Sequence, residues 1–427
     1  MLGIKLFREN PEKIKENLRK RFQEHKISVV DEIINKDSKI KAFIIETEKL
    51  RHKRNQISKC ISELKEKGKN YKELVIEAKE IPDKIKEIEC KLEELKKELI
   101  LLQMKIPNLI HDSVPIGRNE KENFPVEYIG KPKEMGFEVK SHVEIAETLD
   151  LVDFDASSKT SGKGFYFLKG KLALLNMALI NFARDYMIKQ DFLYVEPPLI
   201  IQKKILEGVY SNSEIKQMAY ELEDNKFLIA TSEHPLIGSF INKLIEEKEL
   251  PIKLTGYSVC FRKEIGSHGI DERGLYRTHQ FNKQEMVVLC KPEDSYKYYE
   301  EMLNHSKEIF KKLEIPTRVL ECCSGDLGDL KAKSADLEAW SPRKKEYFEV
   351  CSCSNLTDAQ SRRLKIRIKG KKENYFVHTL NNTAIATSRA MVAILENHQT
   401  KEGTINIPKV LVPYMNGTKI IEKTQTT

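Results

Sequence analysis

The chain of 427 residues is long enough for two or three domains with a sizeable core, and its 40% of hydrophobic residues is usual for a globular protein. We find no uninterrupted apolar stretch of about 18 residues, and charged residues begin at Lys5, so we expect no membrane-spanning helix, no signal peptide and a cytoplasmic location. The net charge of +8 is compatible with a polyanionic partner.

The eight cysteines are dispersed and show no paired CxxC spacing. This pattern argues against a disulfide framework and against a structural zinc site. The close spacing of Cys322 with Cys323, and of Cys351 with Cys353, leaves metal binding as a minor alternative.

The composition of the chain changes near residue 110, which predicts one domain over residues 1–110 and a second over 111–427. In the first, two series of mostly apolar residues recur in alternating steps of three and four: Ile40, Phe43, Thr47, Leu50, Arg54, Ile57, Ile61 and Leu64, then Ile81, Ile85, Ile88, Leu92, Leu95, Leu99, Leu102 and Ile106. Residues 68–70 separate the two series with a helix breaker, so we predict an antiparallel two-helix coiled-coil arm. Pro82 leaves the continuity of the second helix open.

Two uses of this hairpin remain open. Heptads most often form a dimerisation coiled coil. A hairpin that buries its own seam instead leaves its basic residues free to meet phosphates, although interleaved glutamates also fit a solvated surface. The basic residues are Arg51, Lys53, Arg54, Lys59, Lys65, Lys67, Lys69 and Lys72.

From about residue 165 the pattern predicts an α+β fold with a mostly antiparallel sheet flanked by helices. Helices are predicted over residues 172–187, 295–313 and 384–396, and strands over 192–196, 257–261, 281–289, 317–321, 347–351 and 375–380. Few helices lie between the strands, which argues against a doubly wound fold. The sequence contains no GxxxxGK[ST] loop, so side chains on the sheet must bind any phosphates.

The segments 261–264 and 277–281 are the strongest functional signal. On an antiparallel pair, Arg262 and Glu264 share one face, and Arg277, His279 and Phe281 can share one on the returning strand, with a turn-forming loop over residues 266–274 between them. Guanidinium groups bind phosphate, a carboxylate accepts from an adenine amino group, and an aromatic ring stacks on the base. The combination predicts an ATP site, with a charge-compensated surface hairpin as the alternative.

Three ordered segments resemble the signature motifs of the class II aminoacyl-tRNA synthetases. Residues 190–198 resemble motif 1, residues 260–286 resemble motif 2, and residues 383–396 resemble motif 3. The helical hairpin resembles the tRNA-binding arm of the seryl-tRNA synthetase family, and residues 231–233 fit its zinc-free type. The chain departs from the family pattern at Ala384 and Ser388, where glycine is usual.

The resemblance implies a serine–tRNA ligase that uses ATP and Mg²⁺. It implies that Arg262, Arg277 and Arg389 are catalytic. ATP would be bound by Arg262, Lys263, Glu264, Arg277, Phe281, Glu349, Val350, Cys351, Ser352 and Arg389. L-Serine would be bound by Thr231, Ser232, Glu233, Arg262, Glu285 and Thr383. The metal would be bound by Glu349 and Ser352. Without the resemblance, Thr383 would be read as the N-cap of a helix that begins at Ala384.

The resemblance further implies a homodimer that acts on tRNA(Ser), without zinc, and leaves service to tRNA(Sec) open. Two alternatives remain: a class II synthetase for another small amino acid, and a catalytically silent relative that keeps the arm as a tRNA-binding module.

Overall fold

The computed structural model describes residues 1–264 and 274–423. The chain forms two compact units, one spanning Leu2–Pro107 and the other comprising Met1 and Asn108–Thr427. Among the described residues, no helix is long and apolar enough to cross a membrane.

The smaller unit is helical and consists of α1 (Ile4–Glu9), α2 (Pro11–Lys20), α3 (Ile27–Glu66) and α4 (Lys72–Lys105). The last two pack together as an antiparallel pair. Lys36 of α3 forms an ion pair with Glu98 of α4, and Arg51, farther along α3, forms one with Glu89, which is earlier in α4. The helix α4 runs through Pro82 without a break, and its 34 residues span roughly 50 Å. The predicted coiled-coil arm is confirmed.

The predicted heptad seam is buried inside this hairpin. On α4 the buried positions are Ile81, Ile85, Ile88, Leu92, Leu99 and Leu102, and on α3 they include Ile40, Thr47 and Ile57. Arg54 is the exception, since it is exposed although it falls on the series. The hairpin thus buries its own apolar residues between its two helices.

The larger unit contains nine further α-helices in its described part. They are α5 (His142–Thr148), α6 (Phe154–Thr160), α7 (Gly170–Ile188), α8 (Lys203–Val209), α9 (Asn212–Met218), α10 (Glu233–Gly238), α11 (Ser295–Lys312), α12 (Ala359–Leu364) and α13 (Thr387–Asn397).

Eight strands of this unit form its main sheet, in the order β1-β11-β12-β13-β16-β10-β9-β4. All its neighbours pair antiparallel except β4 and β9. The strands of the unit are β1 (Phe124–Ile129), β2 (Val152–Asp153), β3 (Phe167–Leu168), β4 (Leu193–Val195), β5 (Ile200–Gln202), β6 (Glu221–Leu222), β7 (Lys226–Leu228), β8 (Leu244–Glu246), β9 (Ile252–Phe261), β10 (Gln280–Cys290), β11 (Thr317–Glu321), β12 (Lys333–Ser341), β13 (Glu346–Asn355), β14 (Arg367–Lys369), β15 (Tyr375–Phe376), β16 (His378–Ala386), β17 (Ile405–Asn406) and β18 (Ile420–Ile421). The α+β prediction with a mostly antiparallel sheet is confirmed.

The two faces of the sheet pack against different clusters of side chains. Along β10, Met286 and Val288 join the core formed with α7, α11 and α13. Val287 and Leu289 alternate with them and enter a second cluster with α8, α10 and α12. Phe281, Lys283 and Glu285 have the same parity as Val287 and therefore face the second side of the sheet, where the site described below is formed.

One predicted helix begins later than expected, and one strand was not predicted. The helix predicted over 384–396 begins only at Thr387, because Ile385 and Ala386 still pair with β10. The strand β12 was not predicted, because the charged residues Asp336 and Glu338 interrupt its apolar residues.

Candidate active site

One cavity of about 260 Å³ lies over this second face of the sheet. The predicted site residues that line it are Thr231, Glu233, Arg262, Glu264, Arg277, Phe281, Glu285, Glu349, Val350, Cys351, Ser352, Thr383 and Arg389. They come from β10, β13, β16, α10 and α13, from the residue Thr231 before α10, and from the segments that follow β9 and precede β10. Segments far apart in the sequence thus meet around one concave surface.

Two predicted residues, Ser232 and Lys263, are not among those that line the cavity. The Ser232 hydroxyl is buried and donates to the Gly256 carbonyl at 2.8 Å. The backbone N–H of Lys263 donates to the Met218 carbonyl at 3.0 Å. The contacts of Ser232 and of the Lys263 backbone hold the cavity wall in place.

The ends of β9 and β10 carry an arginine against an aromatic ring. The pairing of the two strands continues past β9, since the Arg262 N–H donates to the His279 carbonyl at 2.9 Å. The guanidinium carbon of Arg262 lies 5.3 Å from the centre of the Phe281 ring. Nη1 of Arg277 lies 3.9 Å from a carboxylate oxygen of Glu264. Of the loop predicted over 266–274, residues 266–273 lie outside the described residues.

The placement of His279 differs from the prediction that it shares a face with Arg277 and Phe281. Its Nδ1 lies 2.9 Å from the Tyr220 hydroxyl, and its ring stacks on Phe165 at 5.2 Å. The regular alternation of side chains begins only at Gln280, where β10 starts, so it does not extend back to His279.

Arg389 lies in the first turn of α13 and is enclosed by two groups. Its Nη1 lies 2.8 Å from Oε1 of Glu349, and its guanidinium carbon lies 5.0 Å from the centre of the Tyr276 ring. Desolvation raises the pKa of Glu349, but Arg389, with Arg262 and Lys331, outweighs this effect and holds that pKa below its ordinary value. Glu349 is therefore ionised near neutral pH.

Asp336 adds a carboxyl group beside Glu349 and Ser352. It pairs in register with Ser352 across β12 and β13. Burial and the neighbouring Glu349 raise the pKa of Asp336 to about 7. Mg²⁺ prefers oxygen donors, and the carboxyl groups of Glu349 and Asp336 and the hydroxyl of Ser352 are donors of this kind. Among the described residues no group of three His, Cys, Asp or Glu could hold a metal, so this donor set would need oxygens from a ligand.

The other end of the cavity holds two glutamates with different partners. Glu285 lies 2.6 Å from Nζ of Lys283, and Oγ1 of Thr383 donates to the same carboxylate at 3.5 Å. Glu233 accepts from the side-chain amide of Gln360 at 2.7 Å. Burial and repulsion by Glu285 raise the pKa of Glu233 to about 7.

Sequence analysis missed several residues of the site. Lys283 could have been found, because it lies between Phe281 and Glu285 at the same alternation along β10. Tyr276 directly precedes Arg277 but carried no separate signal. Gln360 and Asp336 come from segments without a recognisable motif, and only the tertiary fold brings them to the site.

Two family models match the chain. The model described as the tRNA synthetase class II core domain (G, H, P, S and T) matches residues 216–398, and that of the seryl-tRNA synthetase N-terminal domain matches residues 1–110. A serine–tRNA ligase of Methanospirillum hungatei is 45% identical over 420 residues, which cover 97% of this chain and 99% of the relative.

Solved structures agree over the same length. The seryl-tRNA synthetase from Pyrococcus horikoshii complexed with ATP has a TM-score of 0.96 and 41% identity, with all of both chains covered. The cytoplasmic serine–tRNA ligase from Naegleria fowleri in complex with AMP has a TM-score of 0.91 and 34% identity, covering 100% of this chain and 99% of the other.

Proposed function

The chain belongs to the seryl-tRNA synthetase family, and on that premise we propose how its own residues perform the reaction of an aminoacyl-tRNA ligase. In the first step ATP activates L-serine to seryl-adenylate, and in the second serine passes to the terminal ribose of tRNA. The observation that carries the assignment of residues is the cavity that joins Arg262 after β9, Arg277 before β10 and Arg389 of α13 to the carboxylates of the serine end.

We assign the ATP end of the cavity to residues on three elements. Phe281 stacks on the adenine and Glu264 accepts from its amino group. Arg262, already held over Phe281 at 5.3 Å, reaches the α-phosphate, and Arg277 and Arg389 hold the γ-phosphate end. The ion pair of Arg389 with Glu349 supports this assignment, because it keeps the guanidinium fixed before ATP arrives.

The activation step needs no general base. A carboxylate oxygen of serine attacks the α-phosphorus, a new P–O bond forms, and the bond to the β-phosphate breaks so that pyrophosphate leaves. The nucleophile is already ionised at neutral pH, so catalysis consists of placing it in line and neutralising charge. Arg262 supplies that charge at the reacting phosphate.

We place Mg²⁺ at Glu349 and Ser352, with Asp336 beside them. When bound, the ion neutralises charge on the phosphate oxygens. The crowding that raises the pKa of Asp336 supports this placement, because a cation relieves the repulsion between the two carboxylates. Glu349 then has two tasks, since it also orients Arg389.

The serine end is assigned to four residues. Glu233 and Thr231 bind the ammonium group, and Glu285 and Thr383 bind the hydroxyl. A buried site that bonds the hydroxyl rejects alanine, because alanine leaves its polar groups unpaired. Lys283 supports the role of Glu285 by holding its carboxylate at 2.6 Å. Ser232 acts indirectly, through its bond to the strand β9.

The helical hairpin is proposed to bind tRNA(Ser). Arg51 and Lys53 form ion pairs across the hairpin with Glu89 and Glu77. The remaining basic residues of the predicted set are exposed and form no ion pair with any described residue: Arg54, Lys59, Lys65, Lys67, Lys69 and Lys72. Four of these lie at or next to the turn between α3 and α4, which supports a phosphate-binding tip.

We further propose that the chain acts as a homodimer in the cytoplasm, without zinc. Exposed apolar residues on α7 and β4, namely Leu174, Met177, Ile188 and Leu193, support an interface beside the motif 1 strand. Action on tRNA(Sec), which the resemblance leaves open, is not part of this proposal.

Serine-dependent exchange of pyrophosphate into ATP tests the proposal directly. We expect exchange with serine in the absence of tRNA, and at least about a hundredfold lower kcat/KM with alanine or glycine. Exchange that prefers another small amino acid would contradict the serine assignment. Tight tRNA binding without exchange for any amino acid would identify a catalytically silent binding module instead.

A further inference from the structure

A buried carboxylate lies behind the active site, on the same helix as Arg389. Glu396 is 2% exposed and follows Arg389 by two turns of α13. Its carboxylate accepts from the Ser341 hydroxyl at 2.5 Å and lies 3.5 Å from Nδ1 of His142. Arg343 is farther away, at 3.9 Å. Burial raises the pKa of Glu396, but the nearby His142 ring and the hydrogen bond from Ser341 outweigh it, so the pKa lies below the ordinary value.

The other nitrogen of His142 holds the backbone that returns from motif 2. The buried Leu275 donates its N–H to Nε2 of His142 at 3.3 Å. A backbone donor at Nε2 requires that nitrogen to be unprotonated, so the proton of the neutral ring is on Nδ1, which faces Glu396. The preceding residue, Gly274, fits only because it has no side chain, since a Cβ there would lie 2.7 Å from Nε2.

Tyr276, the next residue, connects this contact to Arg389. Its ring lies under the Arg389 guanidinium and meets Phe348 edge-on at 5.5 Å. The ring also separates the active-site cavity from a second cavity of about 40 Å³ lined by His142 and Glu396. The ring position therefore depends on Arg389 and Phe348 and on the backbone at Leu275, from which Tyr276 continues.

We propose that His142 is a positioning residue for ATP. With the Glu396 carboxylate 3.5 Å from its Nδ1, His142 accepts from the Leu275 N–H and so fixes the peptide that places the Tyr276 ring beneath Arg389. The inference rests on the proposed function, in which Arg389 binds the γ-phosphate end of ATP. The motif 3 helix therefore supplies both the arginine, through Arg389, and the support for its aromatic platform, through Glu396.

Three substitutions of His142 separate its two hydrogen-bonding positions. H142Q keeps an acceptor near the place of Nε2, H142N keeps a donor near Nδ1 only, and H142F keeps neither. In serine-dependent pyrophosphate exchange we expect H142N and H142F to raise the KM for ATP by between about ten- and a hundredfold, with the KM for serine within about twofold of the wild type. H142Q is expected to recover most of the ATP affinity.

The control for stability lies on the same helix. I145A empties a fully buried site of α5 and lowers the melting temperature, but it keeps the acceptor for Leu275. We expect a normal KM for ATP in I145A. The inference is overturned if I145A raises that KM as much as H142F does, if H142N and H142Q behave alike, or if the serine KM rises in parallel. A wild-type chain without exchange would instead overturn the proposed function.

Discussion

Glu233 and Glu285 lie in the same pocket but differ in charge compensation. Glu285 has the Lys283 ammonium at 2.6 Å, whereas the hydrogen bond that Glu233 accepts comes from the neutral amide of Gln360. This difference is why burial and Glu285 together raise the pKa of Glu233 to about 7. The amino group of serine is the cation that the pocket lacks at Glu233, so binding of serine should ionise this residue.

Serine affinity should therefore depend on the ionisation of Glu233. We expect the KM for serine to fall as pH rises from about 6 to 8, because the carboxylate that attracts the ammonium group becomes populated over that range. The measurement is pyrophosphate exchange as a function of pH at saturating ATP. Glu233→Gln should raise the serine KM and remove most of this dependence, and an unchanged pH profile in that variant would refute the assignment.

The same shift predicts an effect on stability. The folded Glu233 keeps its proton up to about pH 7, whereas its ordinary value is 4.5. Between these two values the folded state binds more protons than the unfolded state, so the contribution of Glu233 to stability falls as pH rises. The melting temperature of Glu233→Gln minus that of the wild type should therefore be larger at pH 8 than at pH 5. A difference in melting temperature that does not change with pH would contradict this reasoning.

Thr383 is the residue for which the structure most changes the interpretation of the sequence. The sequence allowed it to be an N-cap, but it lies inside β16, four residues before α13 begins. Its neighbour across the strand pair is Glu285, and its hydroxyl donates to that carboxylate at 3.5 Å. The hydroxyl is therefore available to a ligand at the serine end and has no helix end to cap.

Thr383→Val keeps the shape of the side chain and removes this hydroxyl. If the hydroxyl bonds the substrate, the preference for serine over alanine should fall by about 1–3 kcal/mol, measured as the ratio of the two kcat/KM values. The KM for ATP should stay near that of the wild type. An unchanged ratio together with a lower melting temperature would mean that Thr383 has only a structural role.

At the scale of elements, the hairpin shows how far a sequence pattern reaches. The heptad series predicted both helices and their burial, because spacing along one helix determines which residues face its partner. The pattern could not show which cations pair inside the hairpin. Arg51 and Lys53 were grouped with Lys67 and Lys69, yet only the first two have glutamate partners on the opposite helix.

This difference provides a matched pair of variants. Lys67→Ser with Lys69→Ser removes two exposed charges at the turn, whereas Arg51→Ser with Lys53→Ser removes two that are already compensated. If the tip binds phosphates, the first pair should lower the slope of log affinity for tRNA(Ser) against log salt by roughly 1.5, and the second pair by clearly less. Serine-dependent exchange should stay normal in both double variants. Equal slopes in the two variants would favour a merely solvated surface.

The catalytic sheet was predictable in class but not in every strand. Strands β10 and β11 were found because apolar and β-branched residues dominate them. The strand β12 was missed because Asp336 and Glu338 interrupt it, and Asp336 pairs in register with the proposed metal ligand Ser352. A strand that carries carboxylates has fewer of the β-branched and aromatic residues by which strands are recognised in a sequence.

At the scale of the whole molecule, neither edge of the main sheet pairs with another described strand, and each exposes apolar side chains. On one edge Leu193 of β4 is 66% exposed, and on the other Phe124 of β1 is 60% exposed. In the described part of the chain, the first edge alone has further exposed apolar residues on a helix packed against it, since α7 carries Leu174 and Met177. An interface buries such clusters preferentially, which favours the β4 edge as the place where two copies meet.

The final prediction compares the two edges by placing a charge on each. If the proposed dimer forms at the β4 edge, Leu193→Asp should give a monomer, because an unpaired carboxylate would have to be buried at the interface, whereas Phe124→Asp should leave the dimer intact. Light scattering after size-exclusion chromatography gives the mass directly. A dimeric Leu193→Asp protein, or a monomeric Phe124→Asp protein, would show that the copies meet elsewhere. We also expect the Leu193→Asp monomer to lose exchange activity, since β4 pairs with β9, the strand that leads directly to Arg262, and would lose the support of the second copy.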